Sequence, residues 1–202
     1  MKKIWILLAV LAGVGACASL PTSSENLLRA DGYFADGNLE KALDYYNKAI
    51  ILNPGNLEAY SSRGTAHFFA GNYNLAREDF EHVLLANPYK ADVYTAYGSV
   101  LATQGAYEEA LRVFDIAIML NPSKPENFFS RAGVFFMTGQ YQKAITDYTS
   151  VINLRPAAEV YNARGAVYSY IGDTQRAEQD FKTAKEDPMP ATLQVYRSMH
   201  SK

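Results

Sequence analysis

Hydrophobic positions along the 202-residue chain fall into three regimes. An unbroken apolar run, Ile4–Val14, follows a short positive start at Met1-Lys2-Lys3. Beyond the linker Ala18–Ser24, apolar and polar residues mix, and the same types return on a fixed interval. Alanines stand at Ala42, Ala76, Ala110, Ala144 and Ala177, with aromatics at Tyr46, Phe80, Phe114, Tyr148 and Phe181. Prolines fall at Pro54, Pro88, Pro122 and Pro156, each 34 apart, and glycines at Gly37, Gly71, Gly105, Gly139 and Gly172. At the end, Leu193, Tyr196 and Met199 form one apolar stripe behind Pro190, a residue suited to a first helical turn.

This punctuation predicts pairs of helices. Glycine accepts the left-handed conformation that ends a helix, and proline cannot continue a helix interior. The expected pairs are 24–36 with 39–52, 57–70 with 73–86, 91–104 with 107–120, 125–138 with 141–154, and 158–171 with 174–186. The glycine interval shortens from 34 to 33 before Gly172, which predicts a tighter turn between the fourth and fifth units. A helix pair cannot bury its apolar face alone, so neighbouring pairs must stack.

The 34-residue register of Pro, Gly, Ala and aromatic residues resembles the tetratricopeptide repeat. The resemblance implies an all-α, right-handed superhelical solenoid of five helix-turn-helix units plus a short C-terminal capping helix. Their expected bounds are 23–56, 57–90, 91–124, 125–157 and 158–189, with the capping helix over 190–202. Such an array supplies a surface for other proteins, and a non-catalytic role is expected.

The N-terminus reads as an export signal, since the apolar run is shorter than the roughly 20 residues needed to span a bilayer. The sequence Val14-Gly15-Ala16-Cys17 resembles the bacterial lipobox, in which the cysteine is lipidated and becomes the first mature residue. Residues 1–16 are then the signal peptide, and 17–22 the lipidated Cys17 and linker. Cys17 is the chain's single cysteine. Ala18, rather than aspartate, follows it; by resemblance to enterobacterial sorting this implies an outer-membrane lipoprotein facing the periplasm. Ala16-Cys17-Ala18 also fits ordinary signal cleavage, which leaves a soluble periplasmic protein as the alternative.

Composition removes other classes. The formal charge is −2, without a basic block that would suggest nucleic acid. One cysteine and the scattered His67, His82 and His200 give no disulfide framework or metal-ligand spacing. No cofactor is expected, nor any Ser/His/Asp set. His67 occupies a slot between helices held elsewhere by Tyr33, Leu101, Phe135 and Tyr168, and reads as a core histidine.

Numbering each unit so that its proline is position 32 puts Arg63, Arg131 and Arg164 at position 7 and Asp79, Asp147 and Asp180 at position 23. The third unit has Tyr97 and Val113 there, losing both charges together, and the first is an exception, with Arg29 facing Tyr45 although Asp44 stands next door. Joint loss is what an internal ion pair predicts, because a lone buried charge is costly whereas replacing both partners is often neutral. The arginines are therefore expected to brace the helices.

By the geometry of the resembled family, positions 2, 5, 9, 12 and 13 line a concave groove. They give Leu27, Phe34, Phe68, Phe69, Phe129, Phe136, Met137 and Tyr170, beside an acidic row of Glu58, Asp92, Glu126 and Glu159. This suits an apolar or weakly basic segment of a periplasmic or envelope protein. The Lys and Asn positions of the family's carboxylate clamp are absent: Leu27, Ser61, Thr95 and Phe129 stand at one, and Asp31, Thr65 and Ser99 at another. The resemblance implies an adaptor similar to repeat lipoproteins that gather peptidoglycan hydrolases. A pilotin-like role in type IV pilus or secretin assembly is the alternative. Self-association through the groove or terminal helix stays open.

Overall fold

The computed structural model describes residues 21–186 and builds them as ten helices. They are α1 (Ser23–Ala35), α2 (Leu39–Leu52), α3 (Leu57–Phe69), α4 (Tyr73–Ala86), α5 (Ala91–Thr103), α6 (Tyr107–Leu120), α7 (Pro125–Met137), α8 (Tyr141–Leu154), α9 (Ala158–Tyr170) and α10 (Thr174–Glu186). The expected signal segment, Cys17 and the terminal helix over 190–202 lie outside the described residues.

The first helix of each unit stops one residue earlier than the glycine spacing predicts. The cause is a full Schellman closure at every turn. In the first unit, Gly37 N–H donates to the Phe34 carbonyl at 3.0 Å, and Asn38 N–H to the Tyr33 carbonyl at 2.8 Å. Gly37 has φ +75°, and Gly71, Gly105, Gly139 and Gly172 repeat the closure at +74° to +81°. α1 starts at Ser23 because Thr22 and Glu25 form a reciprocal capping box. Three residues, 155–157, separate α8 from α9, where the other unit junctions use four.

Each helix packs against the next in sequence, and α1 with α3, α3 with α5 and α5 with α7 also touch. The first helices of these successive units thus lie side by side and form one continuous surface. Behind them, the position-24 aromatics Tyr46, Phe80, Phe114 and Tyr148 are buried in the core. Their size is matched across the hairpin at position 8. Phenylalanines 80, 114 and 181 face Gly64, Gly98 and Gly165, while Tyr46 and Tyr148 belong to units with Ala30 and Ala132. A methyl added at Gly98 would sit 2.7 Å from the Phe114 ring, so glycine there is a steric requirement. In the first unit, Tyr46 instead sends its hydroxyl to Asp31 at 2.7 Å.

The outward face of α1 is chemically different from its counterparts. Position 3 is buried in units two to five as Ala59, Val93, Asn127 and Val160, and position 10 as Ala66, Val100, Val134 and Val167. The first unit has Glu25 and Gly32 at those places, both exposed. Where the later units bury these positions against a preceding helix, the first presents a hydrated surface.

Candidate functional site: the concave groove and its arginine braces

The groove is built from the sides of α1, α3, α5, α7 and α9 that face away from their partner helices. Two aromatic groups lie along it. Phe34 meets Phe69 edge to face at 5.7 Å, and Phe68 bridges Phe69 and Tyr73. Further on, Phe136 packs against Tyr170 at 5.6 Å and Tyr141 at 5.9 Å, and Tyr141 lies 5.0 Å from Tyr170. Phe69, Met137 and Tyr170 are each about two-thirds exposed, whereas Phe34, Phe68 and Phe136 are half-buried between units.

Between the two groups the wall opens into a cleft of about 450 Å³. Its cause is one substitution in the repeat. Position 12 is phenylalanine in three units, Phe34, Phe68 and Phe136, but Ala102 in the third. Ser99 and Gly133 at position 9 widen the gap, and Phe129, Phe136 and Met137 line it. The cleft therefore combines an apolar lining with Ser99, Thr103 and Ser130 as hydrogen-bonding groups at its edge. It can receive one large apolar side chain of a bound segment.

Two groove expectations are corrected. Leu27 does not line the surface: it is 8% exposed and packs in the first unit's core with Tyr46, Ala49 and Ile50. Position 5 carries Ser61, Thr95 and Phe129 in the next units, so the repeat pattern hid its inward turn. The acidic row is also partly neutralised. Lys124 binds Asp92, and Arg155 binds Glu126 at 2.7 Å, both cations coming from the link to the following unit. A hydrogen bond from its own backbone, and then Arg155, hold the Glu126 carboxyl below its ordinary range. Glu58 and Glu159 remain without an ion pair to another described residue.

The arginines lie outside this surface. Arg63 grips Asp79 through two bonds of 2.9 and 2.6 Å, Arg131 grips Asp147 at 2.7 Å twice, and Arg164 grips Asp180 at 2.9 and 2.8 Å. All three aspartates are buried. The bidentate bond to its carboxylate raises the pKa of each guanidinium above its ordinary value.

Sequence reasoning missed a second partner. The remaining guanidinium nitrogen reaches back to position 25 of the preceding unit: Arg63 to Asn47 at 2.7 Å, Arg131 to Asp115 at 2.6 Å, and Arg164 to Thr149 at 2.9 Å. The third unit keeps this link without the ion pair, because the Tyr97 hydroxyl donates to Glu81, also position 25, at 2.8 Å. Position 7 therefore ties each unit to its predecessor at all four junctions. The signal was present in the sequence as an acceptor at every position 25 from Asn47 to Thr149, ending with Lys182 in the last unit.

His67 sits half-buried between helices with its Nδ1 atom buried and without a hydrogen-bond partner among the described residues. Burial lowers its pKa, with Asp79 opposing and Arg63 reinforcing the shift. Among the described residues no group of three His, Cys, Asp or Glu side chains converges as a metal site, and no helix is long and apolar enough to cross a membrane.

Tetratricopeptide-repeat family models match residues 61–127, 30–71 and 158–186, together more than half of the chain. The structure is similar to a crystal structure of MamA, with 25% identity and a TM-score of 0.70, over 78% of this chain and 92% of that one. It is also similar to TTC0263, a thermophilic TPR protein of Thermus thermophilus, with 22% identity and a TM-score of 0.70 over 88% and 97% of the two chains. A third similar structure is YrrB, described as a TPR protein with an unusual peptide-binding site, with 22% identity and a TM-score of 0.64 over 88% and 92%. No curated protein matches the sequence. The repeat register, the ten stacked helices and these matches agree: the chain belongs to the tetratricopeptide-repeat family.

Proposed function

We propose that this protein is a non-catalytic adaptor of the bacterial envelope, held to a membrane by lipidated Cys17 and binding a partner segment in its concave groove. The observation that carries the binding half is the apolar cleft at Ala102, flanked by Phe129, Phe136 and Met137. Exposed aromatic and methionine surface of this kind has adaptable contacts to offer and no structural need to stand in water. YrrB, with its unusual peptide-binding site, supports peptide binding on such a scaffold. The anchoring half rests on the lipobox-like sequence, and Ala18 behind Cys17 favours the periplasmic face of the outer membrane. With two of the four row acids already paired, the occupant is better described as apolar than as basic.

The two halves have separate tests. Palmitate labelling in cells should be lost in Cys17→Ser; labelling that persists overturns the anchor. For the groove, Ala102→Phe restores the side chain found at position 12 of three other units and fills the cleft. Crosslinked partners should fall away in Ala102→Phe and in Phe129→Ala with Met137→Ala, while thermal melts stay close to wild type. Equal recovery of the same partners by all three proteins would place binding elsewhere.

A further inference from the structure

Position 4 is aromatic in four units, Tyr60, Tyr94, Phe128 and Tyr161, and asparagine in the first. Where it is present, the ring is half-buried and, in units two, four and five, lies beneath the arginine three residues on. The Arg63 guanidinium is 5.3 Å above Tyr60, Arg131 is 5.8 Å from Phe128, and Arg164 is 5.9 Å from Tyr161. Tyr60 also lies 4.1 Å from the His82 ring of the second helix. In the first unit Asn26 turns its amide back to the Thr22 carbonyl at 2.9 Å and puts no ring at the corresponding place. A cavity of about 400 Å³ remains, lined by Pro21, Arg29, Tyr45, Lys48, Ile51 and Leu52. It shares no residue with the groove.

The walls say what fits. Tyr45 is held flat against Tyr33, 5.4 Å away and 21° from parallel, and also borders the cavity. Lys48 is already engaged, with Asp44 at 2.6 Å and the Tyr45 ring at 4.5 Å. Arg29 makes no hydrogen bond or ion pair to another described residue, although its counterparts in units two, four and five each hold a carboxylate and cover a ring. The unit thus keeps a cation and an apolar slot but lacks the ring and the carboxylate at position 23, and its Asp44 is held by Lys48. About 150 Å³ is enough for an apolar cavity to hold benzene, so the space admits a phenyl or phenol group.

We propose that this slot is a second binding site, which takes a Phe or Tyr side chain together with an adjoining carboxylate from a partner protein. The ring would lie beneath Arg29 as Tyr60 lies beneath Arg63, and the carboxylate would meet the guanidinium.

The test is an NMR titration of the full mature chain with N-acetylphenylalanine, which joins ring and carboxylate in one small probe. Binding is expected in the millimolar range, as suits so small a ligand, with amide shifts confined to Arg29, Tyr45, Lys48, Ile51 and their neighbours. N-acetylphenylalanine amide and N-acetylleucine should each bind about two- to fivefold more weakly or worse, and Arg29→Gln should cost the parent probe a similar factor. Asn26→Tyr, which supplies the missing ring, should abolish the shifts. Should that variant fold poorly, Ile51→Asp gives the same loss. No shifts, shifts that map to the groove, or shifts that survive both slot variants would overturn the proposal. So would equal binding of the leucine probe, or binding that emerges only in Leu20→Ser, which would assign the slot to the chain's own linker. None of these outcomes depends on the groove binding anything.

Discussion

Removing Arg131 should cost the array a large share of its stability. Its guanidinium is the only ion-pair partner of Asp147 among the described residues, and that carboxylate has 5% of its side chain exposed. Arg131→Leu strands the charge, and breaking a buried pair from one side costs about 3–5 kcal/mol. The lost bond to Asp115 adds little, because that side chain is 61% exposed and such pairs are worth about 0–1 kcal/mol. For a chain of this size, each kcal/mol lowers the melting temperature by about 2–4 °C, so the variant should melt about 6–20 °C below wild type. The third unit shows how the loss is repaired. Arg131→Tyr with Asp147→Val reproduces the natural Tyr97 and Val113 pair, whose tyrosine still reaches the preceding unit. That double variant should return to within about 1 kcal/mol of wild type. Urea melts followed by circular dichroism and by tyrosine fluorescence give the energies, and coincidence of the two curves checks that the array unfolds as one. If the Arg131→Tyr and Asp147→Val losses simply add, the arginine and aspartate are not one unit and the bracing argument fails.

Other outcomes follow from the same geometry. Gly98→Ala places a methyl 2.7 Å from the Phe114 ring and should destabilise by about 1–3 kcal/mol, whereas Gly133→Ala, with open space around it, should gain up to about 1 kcal/mol; equal effects in thermal melts would contradict the size matching. His67 titrates near 6.5 in the unfolded chain and lower in the fold, because burial disfavours its charged form. The unfolded chain then takes up the proton first, so stability should decline as pH falls below about 6.5. His67→Phe, the residue type of Phe135 in the same slot, should remove that part of the slope in urea melts at pH values of about 7.5 and 5; an unchanged slope would locate the dependence in other groups.

How much of this could be read without coordinates follows from what each feature depends on. The helix pairs and their turns were legible because Gly, Pro, Ala and aromatic residues each act within a few residues of themselves, and five copies reinforce one register. The Arg–Asp pairs were legible for a different reason: one unit departs from the pattern at both places, and a paired departure identifies contact. The same paired departure stands in the sequence for glycine with phenylalanine and alanine with tyrosine at positions 8 and 24. So do the acceptors at position 25, where the hydrogen bond crosses from one unit to the next. Leu27 failed because its orientation depends on packing against α2, which helical spacing alone does not give. Both cavities were hidden for the opposite reason. Each is defined by a side chain that one unit lacks, Phe at Ala102 and an aromatic at Asn26, and a consensus reading averages away those departures. In a repeat protein the shared residues specify the scaffold, so the binding chemistry must be sought where a unit breaks the rule without a compensating change beside it.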